Sequence, residues 1–151
     1  MPPCPIPDLA ARLAAHGRFT ALRPLSGGHR NAAVLVEDAR GRRFVAKTTR
    51  RSGPALAWAA ALQSEAIRCG IAVPAYLPAP GGRLDAGGLT LEPFAEGTTG
   101  TPGDLSRLRP ALGRLYRATA GWPQRPGFAA AADLLAPEAG GDIDRPAMPA
   151  A

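Results

Sequence analysis

The chain has 151 residues, and its 18 basic and 12 acidic side chains give a formal net charge of +6. This length fits one domain, and a hydrophobic fraction of 46% is enough to bury a core. Two cysteines and two histidines argue against a disulfide framework and a structural zinc site. No apolar run reaches the roughly 18 residues of a membrane span, and the N-terminus lacks the pattern of a secretory signal. We therefore expect a cytoplasmic protein with no membrane partner.

The basic residues are strongly biased towards arginine. Seventeen of the 18 are Arg, and the single lysine is Lys47. A protein that binds nucleic acid usually needs a contiguous basic surface with stacking aromatics. Here the Arg residues are spread along the chain, the cluster at 40–51 fits a solvated face, and only eight aromatics are present. This pattern argues against nucleic-acid binding, which we keep as a competing hypothesis.

The first fifty residues predict a helix followed by an antiparallel three-strand meander. Asp8 and Gly17 are suitable residues to begin and end the helix. The strands and their turns follow in the order Phe19–Leu25, Ser26–Asn31 (tight turn), Ala32–Glu37, Asp38–Gly41 (hairpin turn) and Arg42–Thr49.

The second part of the chain predicts two more helices and two more strands. A helix begins after the N-cap Ser52 and ends at Cys69, before Gly70. Short strands are predicted at Arg83–Asp85 and Leu89–Phe94. The last helix is capped by Asp104 and carries an apolar stripe, with a proline inside it that should kink or split the helix. The stripe is Leu105, Leu108, Leu112 and Leu115, and the proline is Pro110.

This element order predicts an α+β fold with an antiparallel sheet of about five strands and an inserted helix. One or two helices should follow the sheet, and then a loose C-terminal tail from about residue 136. We place one unit at residues 1–97, and a linker with the last helix at residues 98–151.

Three neighbouring features suggest phosphate binding: the glycine turn, the single lysine and the helix that follows it. Backbone N–H groups of a glycine turn can approach phosphates closely, because no Cβ blocks them. A lysine on an adjacent strand can reach the α- and β-phosphates, and the strand end at Glu92–Phe94 offers backbone groups to an adenine edge. Each feature alone has an ordinary explanation: Gly27-Gly28 as a hairpin turn and Lys47 as a surface lysine. Together they predict the nucleotide half of a kinase-type site.

Four segments in this order, PLSGGHRNAAVLV, GRRFVAKTT, GIAVP and LTLEPFAEG, resemble the N-terminal lobe of the aminoglycoside phosphotransferase/choline kinase-like superfamily. These are small-molecule kinases, and the resemblance covers about Phe19 to Thr119. It implies a kinase-like lobe that binds ATP, with Mg²⁺ as the family's metal. The residues that it places over the phosphates are Ser26, Gly27, Gly28 and Asn31, with Lys47 pairing to them, and those that it places at the adenine hinge are Glu92, Pro93 and Phe94.

The chain departs from the family pattern at two places. Where the family has a helix glutamate that orients the lysine, this chain has Trp58 and Ala59, so either Glu65 substitutes or Lys47 lacks that partner. The family's catalytic loop needs a later His, Asp and Asn, but no His follows His29 and no Asn follows Asn31.

We therefore predict no catalytic residue and no metal ligand in this chain. The expectation is an N-terminal lobe without kinase turnover of its own, from a truncated gene, a fragment or one half of a split kinase whose partner is the missing lobe. The alternative is a non-catalytic nucleotide-binding or interaction module.

Overall fold

The computed structural model describes residues 6–25, 31–98 and 100–128. It confirms an α+β fold, built on one antiparallel sheet of four strands in the order β1-β2-β3-β4. Within these residues no helix is long and apolar enough to cross a membrane. The elements are α1 (Leu9–Ala14), β1 (Phe19–Leu25), β2 (Ala33–Asp38), β3 (Arg43–Thr48), α2 (Gly53–Arg68), β4 (Leu89–Pro93) and α3 (Leu105–Thr119), with a 3₁₀ turn at Pro102–Asp104.

The sheet has four strands because the predicted strand at Arg83–Asp85 does not form. Glycines 81 and 82 both adopt positive φ, and the N–H of Ala79 donates to the carbonyl of Arg83 at 2.8 Å, which closes a tight turn. A second turn follows at once, so too few residues are left between the turns for a strand. Isolated bridges pair Leu77 with Leu91 and Ala86 with Leu89.

The core lies on one face of the sheet, under α1. Alternate residues of β2, β3 and β4 point to this face, and Val34, Ala46 and Leu91 stand side by side across it. α1 and Ile6, three residues before its start, cover them with apolar side chains. The buried cluster is Ile6, Leu9, Leu13, Val34, Val36, Phe44, Ala46, Leu89 and Leu91.

Arg12 of α1 and His16, which follows the helix, fix it to the turn Ala86–Leu89. The guanidinium of Arg12 donates to the carbonyls of Gly87 at 2.6 Å and of Gly88 at 3.0 Å. The Nε2 atom of the buried His16 lies 3.1 Å from the carbonyl oxygens of the first and last residues of the turn. Gly87 has φ +56°, and a Cβ there would lie 2.9 Å from the backbone oxygen of Arg12. Only glycine allows so close an approach between the helix and the turn.

The helix ends match the sequence prediction at α2 and differ at α1. Ser52 is extended, and its hydroxyl accepts from the N–H of Ala55 at 3.4 Å, as expected of an N-cap. After the C-cap Cys69, Gly70 has φ +84°. Asp8, in contrast, has φ 51° and makes no side-chain cap. The prediction that the Asp8 side chain caps α1 is wrong, because a capping side chain needs an extended backbone.

The 3₁₀ turn before α3 begins with a capping box. Thr101 is the N-cap, and the Asp104 carboxylate accepts 2.8 Å hydrogen bonds from the backbone N–H and the hydroxyl of Thr101. These two hydrogen bonds hold the pKa of Asp104 below its ordinary value of 3.8, and the bond from the backbone N–H has the larger effect. Asp104 also precedes α3 directly, at the N-cap position that the sequence predicts, but its side chain makes no cap to α3 and belongs to the capping box instead.

Pro110 neither splits nor ends α3, which runs unbroken from Leu105 to Thr119. Proline removes the N–H that would donate to the carbonyl of Ser106. Both residues are exposed, so water can bond to that carbonyl. The helix packs on α2, where the guanidinium of Arg114 donates to the carbonyl of Cys69 at 2.7 and 3.1 Å.

Candidate functional site

A cleft of about 900 Å³ opens on the face of the sheet opposite the α1 core. Because side chains alternate along a strand, Lys47, Thr90 and Glu92 point to this face while their neighbours enter the core. The volume lies within the usual range of small-molecule sites. The cleft is lined by Asn31, Lys47, Thr48, Thr49, Arg50, Arg51, Ser52, Ala55, Tyr76, Thr90, Glu92, Pro126, Gly127 and Phe128.

The strongest interaction in the cleft is an ion pair between Lys47 on β3 and Glu92 on β4. The ammonium Nζ donates to the carboxylate Oε2 at 2.5 Å. In the strand register Val45 stands opposite Glu92 and Lys47 opposite Thr90, so the two charged side chains are diagonal neighbours on one face. The Lys47 side chain is 39% exposed and that of Glu92 only 8%. The ammonium therefore faces the cleft, and the carboxylate lies behind it.

Two further cations stand at the rim, where β3 ends and α2 begins. Arg50 and Arg51 follow β3 after one intervening residue and precede the N-cap Ser52. The positive end of the helix dipole lies here too, and it favours an anion. Among the described residues that line the cleft, Glu92 is the sole acid against three cations. The cleft therefore has the electrostatics of an anion site.

Tyr76 also borders the cleft, held by the segment that leaves α2. The amide group of Gln63 accepts from the N–H of Tyr76 and donates to the carbonyl of Pro74, both at 3.1 Å. The N–H of Leu77 then donates to the carbonyl of Leu91 at 2.8 Å. These bonds fix the Tyr76 backbone between α2 and β4. Its hydroxyl accepts from the guanidinium of Arg51 at 3.2 Å.

The segment after α3 also borders the cleft. Trp122 packs edge-on against Trp58 of α2, with ring centroids 6.0 Å apart, and the Trp58 indole N–H donates to the carbonyl of Pro123 at 2.9 Å. The guanidinium of Arg125 then lies 3.1 Å from the ring centroid of Phe128. The tryptophan contact thus anchors residues 126–128 beside the cleft.

The structure brings three of the predicted site residues together. Asn31, the last residue of the predicted phosphate turn, lines the cleft with Lys47 and Glu92. Ser26, Gly27 and Gly28 lie outside the described residues.

The predicted hinge residues Pro93 and Phe94 do not line the cleft. Proline has no N–H, and the N–H of Phe94 donates to the carbonyl of Arg43 at 3.0 Å, which extends the sheet pairing. Neither residue therefore has a free backbone N–H that could bond to the edge of an adenine.

Glu65 is not brought to Lys47. Its carboxylate bonds to the guanidinium of Arg68 and lies 3.7 Å from the Cys69 sulfur, on the last turns of α2. Only the start of α2 reaches the cleft, through Ser52 and Ala55. The carboxylate that meets the lysine comes from the neighbouring strand. The alternation of side chains along β3 and β4 was the sequence signal for this pairing. It identifies Glu92 only when the register between the two strands is known.

The arginine cluster at 40–51 is not one surface. Arg42 pairs with Asp38 at 2.7 Å in the hairpin, and Arg43 lies 3.8 Å from Glu37. The last two arginines of the cluster, residues 50 and 51, line the cleft instead. Their position directly before a helix N-cap was the signal that sequence reasoning missed. Tyr76 and Phe128 had no local signal, because long-range contacts bring them to the cleft.

No model of a known protein family matches the chain, and no curated protein matches it in sequence. Among the described residues no group of three or more His, Cys, Asp and Glu side chains could hold a metal ion.

Proposed function

We propose that the chain is the ATP-binding lobe of a small-molecule kinase similar to the aminoglycoside phosphotransferases. The observation that carries this proposal is Lys47, the single lysine of the chain, whose ammonium is presented to the cleft by an ion pair with Glu92. Lysine is a compact phosphate-binding charge, and arginine, which the rest of the chain uses, is a bulkier planar group.

The rest of the cleft supports a polyphosphate ligand. Arg50 and Arg51 add positive charge at the start of α2, and the helix dipole acts in the same direction. Asn31 joins them from the end of the predicted phosphate turn. The cleft volume of about 900 Å³ is enough for a nucleotide. Tyr76 and Phe128 supply aromatic surface on which a base could stack.

The proposal assigns nucleotide binding to the described residues and does not assign phosphoryl transfer to them. Transfer needs a positioned base and Mg²⁺ held against the phosphates. The family resemblance implies a second lobe, for example on a partner chain, that would supply both. It also implies an acceptor that carries a hydroxyl group. A non-catalytic nucleotide-binding module is the alternative. The chain alone should not turn over ATP under either proposal, so turnover that appears only with an added polypeptide supplying the base and the metal ligands distinguishes the kinase lobe from the module.

The test is calorimetric titration of the full 151-residue chain with ATP, with and without Mg²⁺. We expect saturable binding that Lys47→Met weakens by about tenfold or more, because a charge-assisted hydrogen bond contributes about 1.5–3 kcal/mol. Arg40→Met is the matched control, since it removes one positive charge from the exposed hairpin turn and not from the cleft.

Unchanged ATP affinity in a folded Lys47→Met variant would overturn the proposal. Lys47→Arg provides a second variant that keeps the charge beside Glu92, and it should also weaken ATP. Binding of RNA with strong salt dependence, together with no binding of ATP, would favour the competing nucleic-acid hypothesis.

A further inference from the structure

The carboxylate of Glu92 is placed to hold the Lys47 ammonium in one position before any ligand binds. The two side chains leave adjacent strands on the same face, and their charged atoms are 2.5 Å apart. A lysine has a flexible four-carbon stem and loses rotamer entropy when it is held in one position. The carboxylate, in contrast, is on a sheet strand and its side chain is only 8% exposed. The buried partner therefore restrains the mobile one.

The geometry leaves the ammonium free to bind an anion as well. Lysine has three N–H donors, and the bond to Glu92 uses one of them. The Lys47 side chain remains 39% exposed towards the cleft, so the other donors can reach phosphate oxygens. With Arg50 and Arg51 at the rim, ionised Glu92 still leaves the cleft with an excess of positive charge.

The helix carboxylate is not available for this role. Glu65 is bonded to Arg68, lies against the sulfur of Cys69, and does not line the cleft. The cleft side of α2 instead contributes Ser52 and Ala55, neither of which can pair with an ammonium as a carboxylate does.

We propose that Glu92 is the positioning residue of the nucleotide site, and that it orients Lys47 towards the ligand phosphates from the neighbouring strand. This inference rests on the proposed function. It differs from the sequence-based expectation, in which Glu92 contributes only backbone groups to adenine and any orienting carboxylate lies on the helix. It also assigns the β3–β4 pair to phosphate recognition rather than to the base.

Binding of ATP and of adenosine by Glu92→Gln tests the role. We expect ATP affinity to fall about 5–30-fold, the equivalent of one to two kcal/mol, while adenosine affinity stays unchanged because adenosine has no phosphate. Glu92→Asp keeps the charge and should recover part of the ATP affinity. Glu37→Gln is the matched control, since it removes a carboxylate of β2 that does not line the cleft. A merely structural role of Glu92 would lower both affinities together.

The single lysine permits a second measurement on the unaltered protein. In a chain labelled with ¹³C,¹⁵N-lysine, all side-chain lysine signals come from Lys47. We expect its Cε to relax as an ordered group before ATP is added, and to become mobile in Glu92→Gln. A freely rotating Cε in the unliganded native chain would refute the inference even if no Glu92 variant folds.

The two proposals fail in different ways. If Lys47→Met weakens ATP and Glu92→Gln leaves it unchanged or tightens it, the positioning role is wrong and the ATP site stands. If neither substitution changes ATP binding while both variants fold, the proposed function itself is wrong.

Discussion

The Lys47–Glu92 pair should respond very differently to the loss of each partner. Lys47→Met leaves a carboxylate whose side chain is 8% exposed without its cation, whereas Glu92→Gln leaves an ammonium that is already 39% exposed. Breaking a fully buried pair costs about 3–5 kcal/mol. Water in the cleft screens this pair, so we expect about 2 kcal/mol for Lys47→Met. Glu92→Gln should cost less than about 1 kcal/mol, which is the usual range for an exposed pair.

Thermal unfolding followed by circular dichroism measures the difference. For a chain of this size, a loss of about 2 kcal/mol lowers the Tm by about 4–8 °C. The double variant Lys47→Met/Glu92→Gln should be more stable than Lys47→Met alone, because the unpaired buried charge is gone. Arg40→Met, on the exposed hairpin turn, should leave the Tm nearly unchanged.

Two results would refute this reasoning. One is a larger loss of stability in Glu92→Gln than in Lys47→Met, which would mean that the ammonium is the more deeply buried partner. The other is additivity in the double-mutant cycle, because side chains in direct contact should show a coupling free energy.

Two further predictions concern the helices. Arg12→Met should lower the free energy of unfolding by about 1–2 kcal/mol, because it removes the charged donors to the carbonyls of Gly87 and Gly88. Urea unfolding measures this loss. An equal loss in the exposed control Arg18→Met would contradict the role of Arg12 in fixing α1 to the turn. The pKa of Asp104 is lowered by its bonds from Thr101. Its ionised form therefore stabilises the fold above its ordinary pKa of 3.8, and this stabilisation is lost as the pH falls through the lower pKa of the folded state. Asp104→Asn should therefore be less stable than the native chain at neutral pH, and the difference should shrink below about pH 4; a difference that is constant with pH would show that the carboxylate charge is not involved.

Local patterns in the sequence were sufficient for most of the secondary structure. The three strands of the meander and α2 depend on alternation, turn glycines and a serine cap, all of which act between near neighbours, and the structure places them within one or two residues of the predicted bounds. The errors arose where several local signals compete. At Arg83–Asp85 the two flanking glycine turns leave no room for a strand, and at Asp8 a left-handed backbone removes the expected cap.

The candidate site was only partly accessible from the sequence. Lys47 stood out because it is the single lysine, and the structure places it in the cleft. The sequence left open whether Glu65 on the helix is its partner or whether it has none, and in the structure the partner is Glu92. The distance along the chain between Lys47 and Glu92 is 45 residues, and nothing in the local sequence of either strand gives the register between them.

The sequence by itself therefore determined the elements, the α+β class and the lysine, since each depends on propensities and spacings within a few residues. The tertiary structure decided which carboxylate meets that lysine, which arginines reach the cleft and which aromatic side chains border it. These depend on strand register, on the contact of Trp58 with Trp122, and on the path of the chain from α2 to β4. Such long-range contacts form only when the whole core is packed. The single lysine of an arginine-rich chain thus pointed to the candidate site, and the strand register determined its partner.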